Sequence, residues 1–169
     1  MKTINYYINE KLKLSSQSKL NKYKFYPKDF NELRSLLRSL LKKRGKDADL
    51  NDIDVSKVTT FYDEHINRGL FDSLDPHNID ISKWDVSNVE DMSHMFFGCE
   101  NFNCNLSNWH VENVRNMNYM FFKCIKFTGE GLEKWKTLNL ENVDYMFLGV
   151  KNLIAIYLIG TLVILLQVV

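Results

Sequence analysis

The chain has 169 residues, 45% of them hydrophobic, which suits one domain with a buried core, or one domain plus a cap. A net charge of +1 conceals a split: residues 1–46 carry 13 Lys/Arg against 3 Asp/Glu, and residues 47–169 carry 9 against 18. Three widely spaced cysteines, Cys99, Cys104 and Cys124, are not a disulfide framework, and no CxxC or Cys/His cluster suggests zinc.

The split charge has two readings. A basic cap beside acidic repeats gives mutual attraction. A basic patch gives a surface for nucleic acid or another anion. The N-terminus, Met1 to Glu10, contains no apolar run of the kind a signal peptide needs, so a cytoplasmic start is expected.

In chain order, residues 3–8 and 23–26 are rich in Tyr, Ile and Phe and predict short strands, with polar, turn-like Lys11–Lys19 between them. Asp29 predicts a helix N-cap, and Glu32 three residues on fits a capping box. Leu33, Leu36, Leu37, Leu40 and Leu41 then form one apolar stripe, so a helix is expected over 29–44. Lys42, Lys43 and Arg44 suit the negative end of its dipole, and Gly45 can close it. Residues 1–48 are thus expected to form a small α+β cap.

Repeats follow. Trp84 to Cys99 and Trp109 to Cys124 align without a gap at a spacing of 25, and Phe102 and Phe127 keep that spacing. A third copy begins at Trp135, 26 residues on, and carries Asn139, Leu140, Val143, Met146 and Phe147 in register. An earlier, degenerate copy runs through Asp54-Val55-Ser56-Lys57-Val58 to Leu70-Phe71. About four units are therefore expected over 49–152. One unit has too few apolar residues for a core of its own, but stacked units build a continuous one. The expected core is Trp84, Val89, Met92, Met95, Phe96 and Phe102; then Trp109, Val114, Met117, Met120, Phe121 and Phe127; then Trp135, Met146 and Phe147. Asn88, Asn113 and Asn139 share a register and form a candidate ladder whose amides could satisfy backbone groups of their own or a neighbouring unit. Cys99 and Cys124, also in register, fit small buried hydrophobes better than reactive thiols. Tyr119 and Tyr145 share a face and are candidate contacts, unless both pack on neighbouring units.

The run W-D-V-S-N-V-x-x-M-x-x-M-F-x-G-C-x-x-F-N-x-x-L-S-x-W resembles the BspA-like leucine-rich repeats, specifically the DUF285 type of bacterial surface proteins and mycoplasma lipoproteins. The resemblance covers residues 79–152 well and 50–78 loosely. It implies an α+β chain with a short leucine-rich-type solenoid, protein–protein or adhesive binding, and no catalytic activity. It brings no catalytic residues. A surface location is what the resemblance implies, and the absence of a secretion signal argues against it.

Leu153–Val169 breaks the pattern with a 17-residue apolar stretch interrupted by Gly160, Thr161 and Gln167, long enough at face value for a membrane span. Residues Leu153–Ile164 can be written in codons which, with one T inserted in the first, read Phe-Asn-Cys-Asp-Leu-Ser-Asn-Trp-Asp-Val-Ser-Asn. That is the expected next repeat, with its Trp at the position of Gly160, 25 residues after Trp135. Out-of-frame translation of a further repeat is the expected origin of the tail; a C-terminal membrane anchor is the alternative.

Other chemistry is set aside. Asp47–Asp52 lacks the Gly and Glu of a calcium loop. His65, His77, His94 and His110 stand at no ligand or triad spacing, and no phosphate-binding Gly loop is present. The sequence therefore predicts a non-catalytic binding protein without cofactor or metal, acting on a protein partner. A membrane anchor at 153–169 and a nucleic-acid surface in the basic region, the less favoured, are the alternatives.

Overall fold

The structure, a computed structural model, describes residues 22–153. The expected strand at 3–8 and the apolar tail from 154 onward lie outside the described residues. The described chain is small and mixed α/β: one complete α-helix, one two-stranded antiparallel sheet and one 3-10 turn, joined by tight turns.

Helix α1 (Phe30–Arg44) forms where the leucine stripe places it. The Asp29 carboxylate accepts the Glu32 N–H at 2.9 Å, capping the first turn. Glu32 reciprocates one residue earlier than a strict capping box, accepting from the Lys28 N–H. Gly45, at φ 89, returns its N–H to the Leu41 carbonyl and ends the helix. Leu33, Leu37, Leu40 and Leu41 are buried, and Leu36 is partly buried against the same core.

The expected strand at 23–26 is not formed. Phe25 makes a single parallel bridge to Ile53, bonded through Asp52 and Asp54. An apolar segment that meets one short turn instead of an extended neighbour has no ladder to join.

The units from Asp54 onward are built from turns, for a local reason. An Asp or Asn recurs two residues before Ser, Asn or Asp, and its side-chain oxygen accepts the later N–H. The pairs are Asp80–Ser82, Asp85–Ser87, Asp91–Ser93, Asn105–Ser107, Asn116–Asn118 and Asn142–Asp144. Between these Asx turns, N–H groups bond carbonyls three residues back, as Val89 to Val86 and Met95 to Met92. Successive units touch through single parallel bridges, Thr60 to Asp91, Asp91 to Asn116 and Asn116 to Asn142.

The first unit carries an insertion. Asp54 precedes Asp85 by 31 residues, while Leu70 precedes Met95 by only 25. The surplus lies in a hairpin, β1 (Tyr62–Asp63) paired with β2 (Arg68–Gly69). Gly69 is required by close approach, since a Cβ there would lie 1.9 Å from the His94 carbonyl oxygen. The last unit has one extra residue, Gly131, at φ 95 and packed against the Ser107 backbone.

The core runs along the stack. Phe71, Phe96, Phe121 and Phe147 form a column with ring centroids 5.3, 5.4 and 5.7 Å apart. Phe102 and Phe127 make a shorter one, and Trp109 lies parallel to Trp135 at 6.4 Å. Each of the fifteen expected core residues is buried. Each indole N–H donates to a carbonyl of the preceding turns: Trp84 to Leu50, Trp109 to Ile81 and Trp135 to Leu106. A tryptophan thus fills the interior and satisfies a buried backbone acceptor at once.

Candidate functional site

Three registers of the repeat carry polar or aromatic side chains whose placement bears on function. The asparagine register reaches backward: Asn88 donates to the Ser56 carbonyl, Asn113 to Ser87 and Asn139 to Glu112, at 2.7–2.8 Å. All three residues are exposed, yet each amide is engaged by the preceding unit.

The cysteine register is buried. Cys124 Sγ approaches the Phe96 carbonyl at 3.0 Å, and Cys99 Sγ lies 3.7 Å from that of Phe71. Burial drives both thiols far above their ordinary pKa. Cys104, less enclosed, is pushed up to about 11, again by burial. None carries the thiolate character that reactivity needs.

The third register is an aromatic row on one side of the stack. Tyr119 stacks on Tyr145 at 5.0 Å, and the row continues backward through His94 at 4.9 Å to Tyr62 at 5.3 Å. Phe97 and Phe122, stacked at 4.7 Å, run beside it. Tyr145 is 51% exposed, and the other five are partly exposed. His94, Tyr119 and Tyr145 all take the left-handed conformation, at φ 55, 54 and 56. Three non-glycine residues held there at one register mark a position the fold over-determines. His94 and Tyr119 are covered on both faces by neighbouring rings and present their edges, while the terminal Tyr145 is stacked on one side by Tyr119.

Sequence reasoning named only Tyr119 and Tyr145. His94 was visible as their equivalent 25 residues earlier, but its different side chain hid it. Tyr62 was not visible, because the hairpin insertion removes it from register.

Beside the row, Asn67, Gly69, Asp72, His94 and Phe97 line a hollow of about 170 Å³. His94 Nδ1 is buried with no hydrogen-bond partner among the described residues. Burial lowers the imidazole pKa from its usual 6.5, against the opposing pull of Asp91 and Asp72. Below about pH 6.5 the unfolded chain therefore binds a proton that the folded chain resists, and stability falls as pH drops. His94→Tyr, which restores the residue of the next two units, should lose less melting temperature than wild type between pH 7.5 and pH 5. Equal losses would show that His94 does not contribute.

Electrostatically, the basic N-terminal region is tied to the units. Arg44 pairs with Asp52 at 2.8 Å, Lys24 reaches the same carboxylate at 3.5 Å, and Lys46 pairs with Asp75. Arg44 and Lys24 hold the Asp52 carboxyl below its ordinary pKa. Asp47 and Asp49, set aside above as calcium ligands, accept from Asn78 and Asn51. Among the described residues no His/Cys/Asp/Glu group could hold a metal, and no helix is long and apolar enough to cross a membrane.

With this geometry in view, residues 34–156 match the family described as "Mycoplasma protein of unknown function, DUF285", and the chain belongs to that family. No curated protein and no solved structure matches the chain.

Proposed function

We propose that the chain is a non-catalytic protein-binding module. Its units form a short leucine-rich-type solenoid of the BspA-like kind, capped at the start by α1 and presenting the aromatic row as its contact surface. The observation that carries this reading is the row itself: Tyr62, His94, Tyr119 and Tyr145 stacked at 4.9–5.3 Å across successive units. Solenoids bind through lateral faces shared by several repeats, and a row with one ring per unit suits that mode. Tyrosine is rigid and amphipathic, which favours it at protein contacts. His94 and Tyr119 have both faces occupied by neighbouring rings, so the row offers no continuous platform for stacking sugars or bases, which supports a protein partner. The ion pairs of Lys24, Arg44 and Lys46 within the chain favour mutual attraction over a nucleic-acid surface.

The test compares wild type with Tyr119→Ser/Tyr145→Ser. A protein captured by wild type is purified, and its affinity for each variant is measured. The double variant should bind at least tenfold more weakly, the scale expected for losing two aromatic anchors. Asn105→Ala/Glu130→Ala, at a different register, should bind as wild type. The reverse pattern would refute the lateral-face reading.

A further inference from the structure

One row of backbone bonds between the units runs in a single direction. N–H groups of Met92, His94, Phe96 and Gly98 donate to the carbonyls of Asn116, Asn118, Met120 and Phe122. Those of Met117, Tyr119, Phe121 and Lys123 donate to Asn142, Asp144, Met146 and Leu148 at 2.8–3.0 Å. Within this row each unit accepts from the one before and donates to the one after, while the bonds of Arg115 to Glu90 and of Glu141 to Arg115 run the other way. One end of the row is therefore left with carbonyls and the other with N–H groups.

The carbonyl end is closed. Leu70 and Asp72 occupy the register of Met120 and Phe122, and their carbonyls, with that of Gly69, accept three bonds from the buried Arg34 guanidinium of α1. The N–H end is open. Val143, Tyr145, Phe147 and Gly149, the equivalents of Met117, Tyr119, Phe121 and Lys123, donate to nothing among the described residues. Their neighbours' turns already use the carbonyls of Val143, Tyr145 and Phe147, which accept from Met146, Leu148 and Val150. The apolar register is uncovered as well: Leu140 and Val143 are only partly buried where Val114 and Met117 are fully so.

We propose that this edge, residues 140–150, is a docking site for a unit of the same repeat pattern carried by another polypeptide. Such a segment lays alternate carbonyls against the four N–H groups and its apolar residues over Leu140 and Val143. This is strand addition to an unpaired edge, adapted to a turn-built unit. The chemistry argues against two copies of this chain. End to end they would set donors against donors, and head to tail they would meet an acceptor row that Arg34 and α1 already cover. The sequence beyond 153 does not carry the repeat pattern, with Gly160 and Ile164 where the register calls for Trp and Asn. The two sites share Tyr145, but the edge uses its backbone N–H and the row its ring, so either can fail alone.

The test is residue-resolved amide exchange on the full chain. Alone, the amides of Val143, Tyr145, Phe147 and Gly149 should exchange at least tenfold faster than those of Met117, Tyr119, Phe121 and Lys123. The probe is a synthetic peptide of residues 107–128 of this chain, whose Asn116, Asn118, Met120 and Phe122 carbonyls present the required acceptors. In excess it should slow the four open amides at least tenfold, and a scrambled peptide should not. A second arm joins the same segment to the C-terminus through a flexible linker, which offsets the ordering entropy by raising effective concentration. Protection in either arm supports the proposal. No protection in both, or four amides already slow in the chain alone, overturns it.

Discussion

Arg34→Ala should destabilise the protein by at least about 3 kcal/mol and detach α1 from the first unit. The side chain is buried in spite of its charge, and it donates to Gly69 and Leu70 at 2.7 and 2.6 Å and to Asp72 at 2.7 Å. Each carbonyl stripped of a buried partner costs about 1–3 kcal/mol. The carbonyls of Leu70 and Asp72 lose theirs together, Gly69 keeps the Asp72 N–H, and a cavity is left beneath the helix. Lysine should recover little, because a single ammonium cannot reproduce the planar fork that spans three acceptors. Urea unfolding of wild type, Arg34→Ala and Arg34→Lys checks this. If both variants lie within about 0.5 kcal/mol of wild type, the range of an ordinary surface substitution, Arg34 does not close the first end of the stack.

Trp109→Ala should cost about 3–5 kcal/mol, the range for truncating a large buried aromatic. The indole lies parallel to that of Trp135 and donates to the Ile81 carbonyl at 3.1 Å. Its loss leaves a void between two units and removes a bond between units. For a domain of ordinary stability, about 5–15 kcal/mol, that is a large share of the total. The damage should spread: Trp135 fluorescence should report loosening of the next unit at lower denaturant than in wild type, because units are stabilised mainly by their neighbours. Trp109→Phe keeps most of the volume but not the N–H, so it should fall between the two. An unchanged midpoint in Trp109→Ala would place the residue outside the core.

How much of this was legible depended on whether a signal recurred. Trp84, Trp109 and Trp135, and the Met and Phe residues that follow them, repeat at 25 or 26 residues, so core and register could be read from spacing alone. The helix was legible because Asp29, the leucine stripe and Gly45 agree with one another. The strand expected at 23–26 failed because composition alone specifies no partner, and Phe25 meets a turn at Ile53. Arg34 was passed over as one more charge of a basic segment. It shares a helical face with Phe30, Leu37 and Leu41, at spacings of four, three and seven, and a charge inside an apolar stripe was the available signal. The aromatic row was half legible: its last two members share residue type and register, His94 shares only register, and Tyr62 only residue type. The direction of the backbone row ending at Val143–Gly149 was not legible, because it lies in which backbone groups face which neighbour.

The central claim is that one repeated register builds a single continuous stack whose units are joined through the tryptophans. The chain has three tryptophans, so its indole N–H resonances are few and well separated, and their hydrogen exchange tests the claim most directly. Each indole is bonded to a carbonyl of the preceding turns, on Leu50, Ile81 and Leu106. The account predicts that all three exchange slowly, with protection approaching the global unfolding free energy. Exchange of the Trp109 indole at the rate of a free indole, in a chain that otherwise unfolds cooperatively, would contradict it.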